Sequence, residues 1–136
     1  MYEVFEHTAD LGLRVRAATL DLLMADAACG LFAVIAGDLD QIRPDREESF
    51  VVAGHDPTWL LFDWISELHA AFELRRMLFR SFAVHVDATG LRATARGEPY
   101  DPGRHSLAHE VKAVTQHALE VGRTPDGWEA TLIVDI

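Results

Sequence analysis

Three features of this sequence predict an α+β fold: a single domain with two helices packed on a mainly antiparallel sheet. Apolar residues recur at helical spacing over 20–36 and again from residue 57 to about 75. Apolar and polar residues alternate strictly over 11–17 and 82–87. The C-terminal part is a run of short alternating segments punctuated by turn residues, which reads as successive antiparallel hairpins. Helical and strand segments grouped in this way, without a regular β–α alternation, belong to the α+β class. The chain of 136 residues is one domain of ordinary size, able to close a core without disulfides or metal staples. No linker, repeat or low-complexity segment divides it, so the domain is taken as 1–136.

Taken in order, residues 2–7 and 11–17 read as two strands, with a turn or bulge expected at Ala9-Asp10. In the second, Leu11, Leu13, Val15 and Ala17 fall on one face and Gly12, Arg14 and Arg16 on the other, the period of a half-buried strand. Thr19 is a helix cap, Asp21 complements the positive end of the helix, and Gly37 is a stop. Residues 38–48, charged and interrupted by Pro44, read as a loop before a short strand from Ser49 to Ala53. Asp56-Pro57 is a strong helix start, a capping carboxylate followed by proline at the first helical position. Leu61, Trp64, Ile65, Leu68 and Phe72 form its buried stripe, with Asp63 and Glu67 opposite. Strands follow from residue 79, turning at Thr89-Gly90 into Leu91, Ala93 and Ala95. Residues 97–109 read as a loop and 110–121 as a strand. Thr124-Pro125-Asp126-Gly127 is a turn leading into the last strand, 128–135. About seven strands and two helices result.

Composition narrows the function. Acidic residues outnumber basic ones 22 to 12, a formal net charge of -10. A chain that grips a nucleic-acid backbone unaided needs the opposite balance, so weak or no direct nucleic-acid binding is expected. An acidic surface suits cations and basic protein partners, although it also serves simple solubility. One cysteine, Cys29, excludes an internal disulfide and a thiolate zinc cage, and its helical apolar setting marks it as a small core residue. No basic stretch followed by an apolar run opens the chain, and no segment approaches the ~20 apolar residues of a membrane helix. A cytoplasmic protein without a membrane partner is expected.

Four places carry candidate chemistry: His7-Thr8-Ala9-Asp10, the loop from Gly97 through His105, the stretch from Lys112 to His117, and Asp135-Ile136. The last strand runs to the final residue, so the α-carboxylate of Ile136 would sit beside the Asp135 side chain. Paired carboxylates invite a hard divalent cation, and Asp10, also at a strand end, can supply a third. By spacing alone, Asp135 reads equally as a solvent-exposed carboxylate. His105 and His109 are four apart, as in the HExxH helical zinc site, but they lie in a loop rather than on a helix. On a regular strand, Thr115 and His117 share a face and Lys112 lies on the other, unless a bulge intervenes. Phosphate-binding glycine loops and the nucleophile elbow are absent.

These segments, in order, resemble the archease family across nearly the whole chain. The residues that carry the resemblance are Tyr2-Glu3-Val4-Phe5-Glu6-His7-Thr8-Ala9-Asp10-Leu11-Gly12, then Arg96-Gly97-Glu98-Pro99-Tyr100-Asp101-Pro102 with His105, then Glu110-Val111-Lys112-Ala113-Val114-Thr115 with His117, and Asp135-Ile136. Gln116 and Ala108-His109 depart from the family pattern without touching those positions. The resemblance implies a domain of strand-helix-strand-strand type. It also implies an accessory role toward the GTP-dependent tRNA-splicing RNA ligase, promoting the guanylylation of that enzyme and its multiple turnover. It implies a bound divalent cation, calcium, on the side chains of Asp10 and Asp135 and the terminal carboxylate of Ile136. His7, His105, Lys112 and His117 match family positions and are candidates for a partner surface. Two other expectations stand beside this one: a small metal-dependent hydrolase or nucleotide-processing enzyme using Asp10, Asp135 and His105, and a metal-independent adaptor.

Overall fold

A computed structural model describes residues 1–7 and 10–136. Among them are eight strands and two α-helices: β1 (Tyr2–His7), β2 (Asp10–Ala17), α1 (Leu20–Ala36), β3 (Arg46–Ala53), α2 (Pro57–Arg75), β4 (Met77–Asp87), β5 (Gly90–Pro99), β6 (Ala113–Val114), β7 (Glu120–Thr124) and β8 (Gly127–Asp135). Every strand pairing is antiparallel. The strands form two sheets. The larger has the order β1-β2-β8, with β6 and β7 both on the far side of β8, and the smaller is β3-β5-β4.

The helices begin and end where local chemistry requires. The Thr19 hydroxyl accepts from the Leu22 N–H, and Gly37, at φ 78°, closes α1. The Asp56 carboxylate accepts from the Thr58 N–H ahead of Pro57, and Arg76 in the left-handed region closes α2. Helix α1 is not amphipathic in the usual sense. Ten of its residues, Leu23, Met24, Ala27, Ala28, Gly30, Leu31, Phe32, Val34, Ile35 and Ala36, are buried, and they cover most of its circumference, leaving Leu22, Asp26, Cys29 and Ala33 as the less buried face. A helix apolar all round must be covered on more than one side. Helix α1 packs on β2 of the larger sheet and β4 of the smaller one, and α2 touches β6 and β7 on one side and β3 on the other. The helices thus lie between the sheets. Phe32, Phe79, Phe82, Phe50 and Trp64 meet edge-on or stacked in this layer, and the Trp64 indole N–H donates to the Met24 carbonyl at 3.0 Å. All five residues of the expected α2 stripe are buried.

Four local expectations change. The loop assigned to 38–48 gives way at Arg46, where β3 begins, because Arg46, Glu47 and Glu48 pair with Gly97, Arg96 and Ala95. Its charges signalled solvent exposure, and an edge strand is exposed on one side. Likewise β5 continues through Pro99 into the expected loop, pairing Glu98 with Leu78. The strand expected over 110–121 is broken into β6 and β7, since Ala118 adopts φ 54° and a turn closes through the Leu119 N–H to the Gln116 carbonyl. Finally, Asp10 belongs to β2 itself; the remainder of the turn expected at Ala9-Asp10 lies outside the described residues. No described helix is long and apolar enough to cross a membrane.

Candidate metal centre

The register of the larger sheet decides what stands beside what. His7 pairs with Asp10 across β1–β2, Asp10 with Asp135 across β2–β8, and Asp135 with Ala113 across β8–β6. Residues directly opposite in antiparallel strands direct their side chains to the same face, with Cβ atoms about 4.5–5.5 Å apart. His7, Asp10 and Asp135 therefore form one row at the end of the sheet. Leu11 and Val134, the next residues along, are in the core, so the row faces away from the helices. Ile136 steps back to the opposite face, and its half-buried side chain packs against the core. This anchors the main chain where it leaves Asp135.

Neighbouring groups hold the row in place. The Lys112 N–H donates to the Asp135 carbonyl at 2.7 Å, while the Lys112 side chain is exposed. The imidazole of His117 lies against that of His7, ring centroids 5.1 Å apart and tilted by 54°. One row further in on the same face, the Phe5 ring lies over Gly12, so closely that a Cβ there would stand 2.2 Å from it. Beside it Ile133 is buried although it is not part of the central core, and its carbonyl accepts from both the N–H and the hydroxyl of Thr115, each at 3.0 Å. The break in the expected strand is what folds Thr115 and His117 over this end of β8.

The electrostatics are unusual for a sheet. Two carboxylates directly opposite one another repel. Among the described residues neither takes part in a salt bridge; the first arginine on that face of β2, Arg14, is two rows away and paired with Glu3 at 3.7 Å. Oxygen donors of this kind suit a hard divalent cation. No group of three His, Cys, Asp or Glu side chains gathers at metal-binding distance among the described residues. Among the described residues, side chains thus offer a pair of carboxylates.

Of the residues singled out in the sequence, His7, Asp10, Lys112, His117, Asp135 and Ile136 converge on this sheet end, and His105 does not. His105 is 4% exposed and belongs to a second polar cluster. Its Nδ1 accepts from the Asp101 N–H at 2.9 Å, which places the ring proton on Nε2, 3.0 Å from a Glu98 carboxylate oxygen. Tyr100 stacks on the ring. Glu98, 7% exposed, also accepts from the Arg43 N–H at 2.6 Å and pairs with Arg104. Burial alone would raise the Glu98 carboxyl, but the Arg43 N–H, His105 and Arg104 together outweigh it and hold it below the usual carboxylate range. Glu98 and His105 pin the 100–106 loop to the end of β5. The pairing of Glu98 with His105 has no signal in the sequence, since seven-residue spacing across Pro99 and Pro102 carries no periodicity. Cys29, expected in the core, is instead only half-buried and lies outside the core cluster; partial burial and then the Asp26 charge push its thiol up to about 11.

Comparison with known proteins agrees with this architecture. The Archease protein family (MTH1598/TM1083) matches residues 2–136. The archease of Methanopyrus kandleri is 42% identical, over 99% of both chains, and that of Pyrococcus abyssi is 34% identical, over 99% of this chain and 98% of its own. The solution structure of a Methanobacterium thermoautotrophicum protein superposes with a TM-score of 0.84 at 31% identity, covering 99% of this chain and 98% of that one. A Thermotoga maritima crystal structure, described as an archease and possible chaperone, shares the fold at a TM-score of 0.66 and 19% identity, covering 100% and 98%.

Proposed function

The chain belongs to the archease family, and on that premise we propose that it is an accessory protein rather than a catalyst. Its partner in this reading is a GTP-dependent tRNA-splicing RNA ligase, whose guanylylation and multiple turnover it promotes. The helper role named as possible for the Thermotoga protein points in the same direction. A divalent cation, calcium in the first instance, is held by Asp10, Asp135 and the α-carboxylate of Ile136.

The observation that carries this reading is the direct pairing of Asp10 with Asp135 without a described salt bridge to either. Such an arrangement costs stability unless a cation or a partner's cationic group occupies it. Bound there, the cation neutralises the clustered carboxylates and ties the start of β2 to the end of β8. His7, His117 and Lys112 rim the same sheet end and supply the contact surface. The surrounding acidity, -10 in all, steers docking onto a basic, RNA-binding enzyme.

A multiple-turnover ligation assay with the cognate ligase tests it. Asp10→Ala and Asp135→Ala should each abolish stimulation while the ligase alone is unaffected. Undiminished stimulation by both would remove the carboxylates from the mechanism. Calcium titration by calorimetry, with and without a short C-terminal extension, tests the Ile136 carboxylate: the extension should weaken binding, and unchanged affinity would exclude that group. The hydrolase reading is disfavoured by one particular feature, since both ring nitrogens of His105 are already engaged, by Asp101 and Glu98.

A further inference from the structure

We propose that the groove between the free edge of β3 and helix α2 receives an extended, basic segment of a partner protein, which joins the smaller sheet as a fourth strand. Neither β3 nor α2 contributes to the carboxylate row, so this surface is separate from the proposed metal centre and goes beyond it.

Strand β3 is paired on one side only, with β5. No backbone group of residues 49–53 bonds to any other described residue outside that ladder. Proteins commonly blunt such an edge with charge, proline or brevity. The open strand of the larger sheet, β1, carries Glu3 and Glu6, and β4, at the opposite edge of the smaller sheet, carries Arg80, His85 and Asp87. The first half of β3 is guarded in the same way by Arg46, Glu47 and Glu48. Its second half, Ser49-Phe50-Val51-Val52-Ala53, has no charge and no proline, and Val51 is 77% exposed.

The edge lies in a built groove. Val51, Val52 and Ala53 form one wall and Asp63, Ser66, Glu67 and Ala70 of α2 the other, enclosing about 370 Å³. The connection to α2 closes one end and the Arg75–Glu48 ion pair the other. A five-residue strand needs roughly 17 Å of edge, which is the length that residues 49–53 provide. On α2, Trp59, Asp63, Glu67, Ala70 and Leu74 share one helical arc, and Trp59 and Leu74 are 48% and 83% exposed. The described salt bridges of α2 involve His69, Glu73 and Arg75, which leaves the Asp63 and Glu67 carboxylates for another chain. Val52 is buried and points to the helix side of the sheet, so alternate residues of an added strand point toward those carboxylates. This is recognition by strand addition: main-chain bonds supply affinity and every second side chain supplies specificity. Charge selects the occupant. An acidic segment or a nucleic-acid backbone is repelled by Asp63 and Glu67. A second copy would bring another acidic helix, on a chain of -10, against the first.

The test uses the full chain and an acetylated, amidated heptapeptide of alternating valine and lysine, followed by fluorescence anisotropy at low salt. The same peptide with glutamate for lysine, and one N-methylated throughout, serve as comparisons. The lysine peptide should bind at least tenfold more tightly than either. Asp63→Lys combined with Glu67→Lys, both exposed and checked for folding by circular dichroism, should abolish that preference. Amide exchange within 49–53 should slow on binding. Equal binding of the lysine and glutamate peptides, equal binding of the N-methylated peptide, or no effect of the double substitution would each overturn the proposal. So would a concentration-dependent dimer in sedimentation that the double substitution strengthens, which would assign the edge to a second copy.

Discussion

Replacing Asp10 by asparagine should make the metal-free protein more stable and the calcium-loaded protein less so. Asp10 and Asp135 are register partners, which sets their carboxylates roughly 5 Å apart. Both residues are half-buried at the open end of a sheet, so a water-like dielectric applies, and two like unit charges then repel by about 0.8 kcal/mol. Physiological salt, with a Debye length of ~8 Å, screens up to about half of this at such a distance. Asparagine keeps the size and removes the charge, so in chelator Asp10→Asn should gain about 0.4–0.8 kcal/mol, or roughly 1–4 °C in Tm for a chain of this length. With calcium bound as proposed, a concentration a hundred times its Kd would stabilise the wild type by about 2.7 kcal/mol, and the variant should lose most of that increment. The order of the two melting temperatures must therefore reverse between chelator and calcium, a pattern that simple structural damage does not produce. Thermal unfolding by circular dichroism reads it directly. The reasoning fails if the variant melts below the wild type in chelator, or if calcium raises both equally.

Three further outcomes are expected. Glu98→Gln should cost about 2–4 kcal/mol in urea unfolding, because it removes the charge that Arg104 and the Arg43 N–H face in a buried site. The Glu98 carboxyl titrates below its ordinary range when folded, so its contribution is complete above the ordinary value of about 4.3 and is lost as pH falls through the lower folded value; the acid limb of the variant's pH–stability curve should be correspondingly flatter. Cys29, with its thiol pushed up to about 11, should be inert to a thiol reagent at pH 8, where roughly one molecule in a thousand is thiolate, and should react promptly in denaturant. Gly97→Ala would set a Cβ 1.8 Å from the Leu78 carbonyl oxygen where β5 crosses the irregular part of β4; a loss above ~3 kcal/mol, or failure to fold, is expected, and a change under ~1 kcal/mol in urea unfolding would mean the two strands can part there at little cost.

The boundaries of the helices and of β1, β2, β4 and β8 were legible, within two residues, in the sequence because they rest on local chemistry. A threonine cap before an apolar run, an Asp-Pro start and a Pro-Asp turn need no distant partner to act, and the helices end at Gly37 and Arg75 as the pattern implies. Helix α1, buried over most of its circumference, carried a sign of its sandwiched position in its composition, yet only tertiary packing reveals which two sheets cover it. The break at Ala118 was hidden, because a non-glycine residue in the left-handed region leaves the alternation of its neighbours unchanged. The clustering of Glu98, Arg104 and His105 was equally hidden, since it depends on a loop folding back across a strand end. Asp10 and Asp135 stand between these cases. Each lies at a strand end in the sequence, and chemistry alone suggests that they would suit a cation. That they face each other is a matter of register, settled by the burial of Leu11, Leu13 and Val134 on the other face, because a slip of one residue would turn that apolar row out to water.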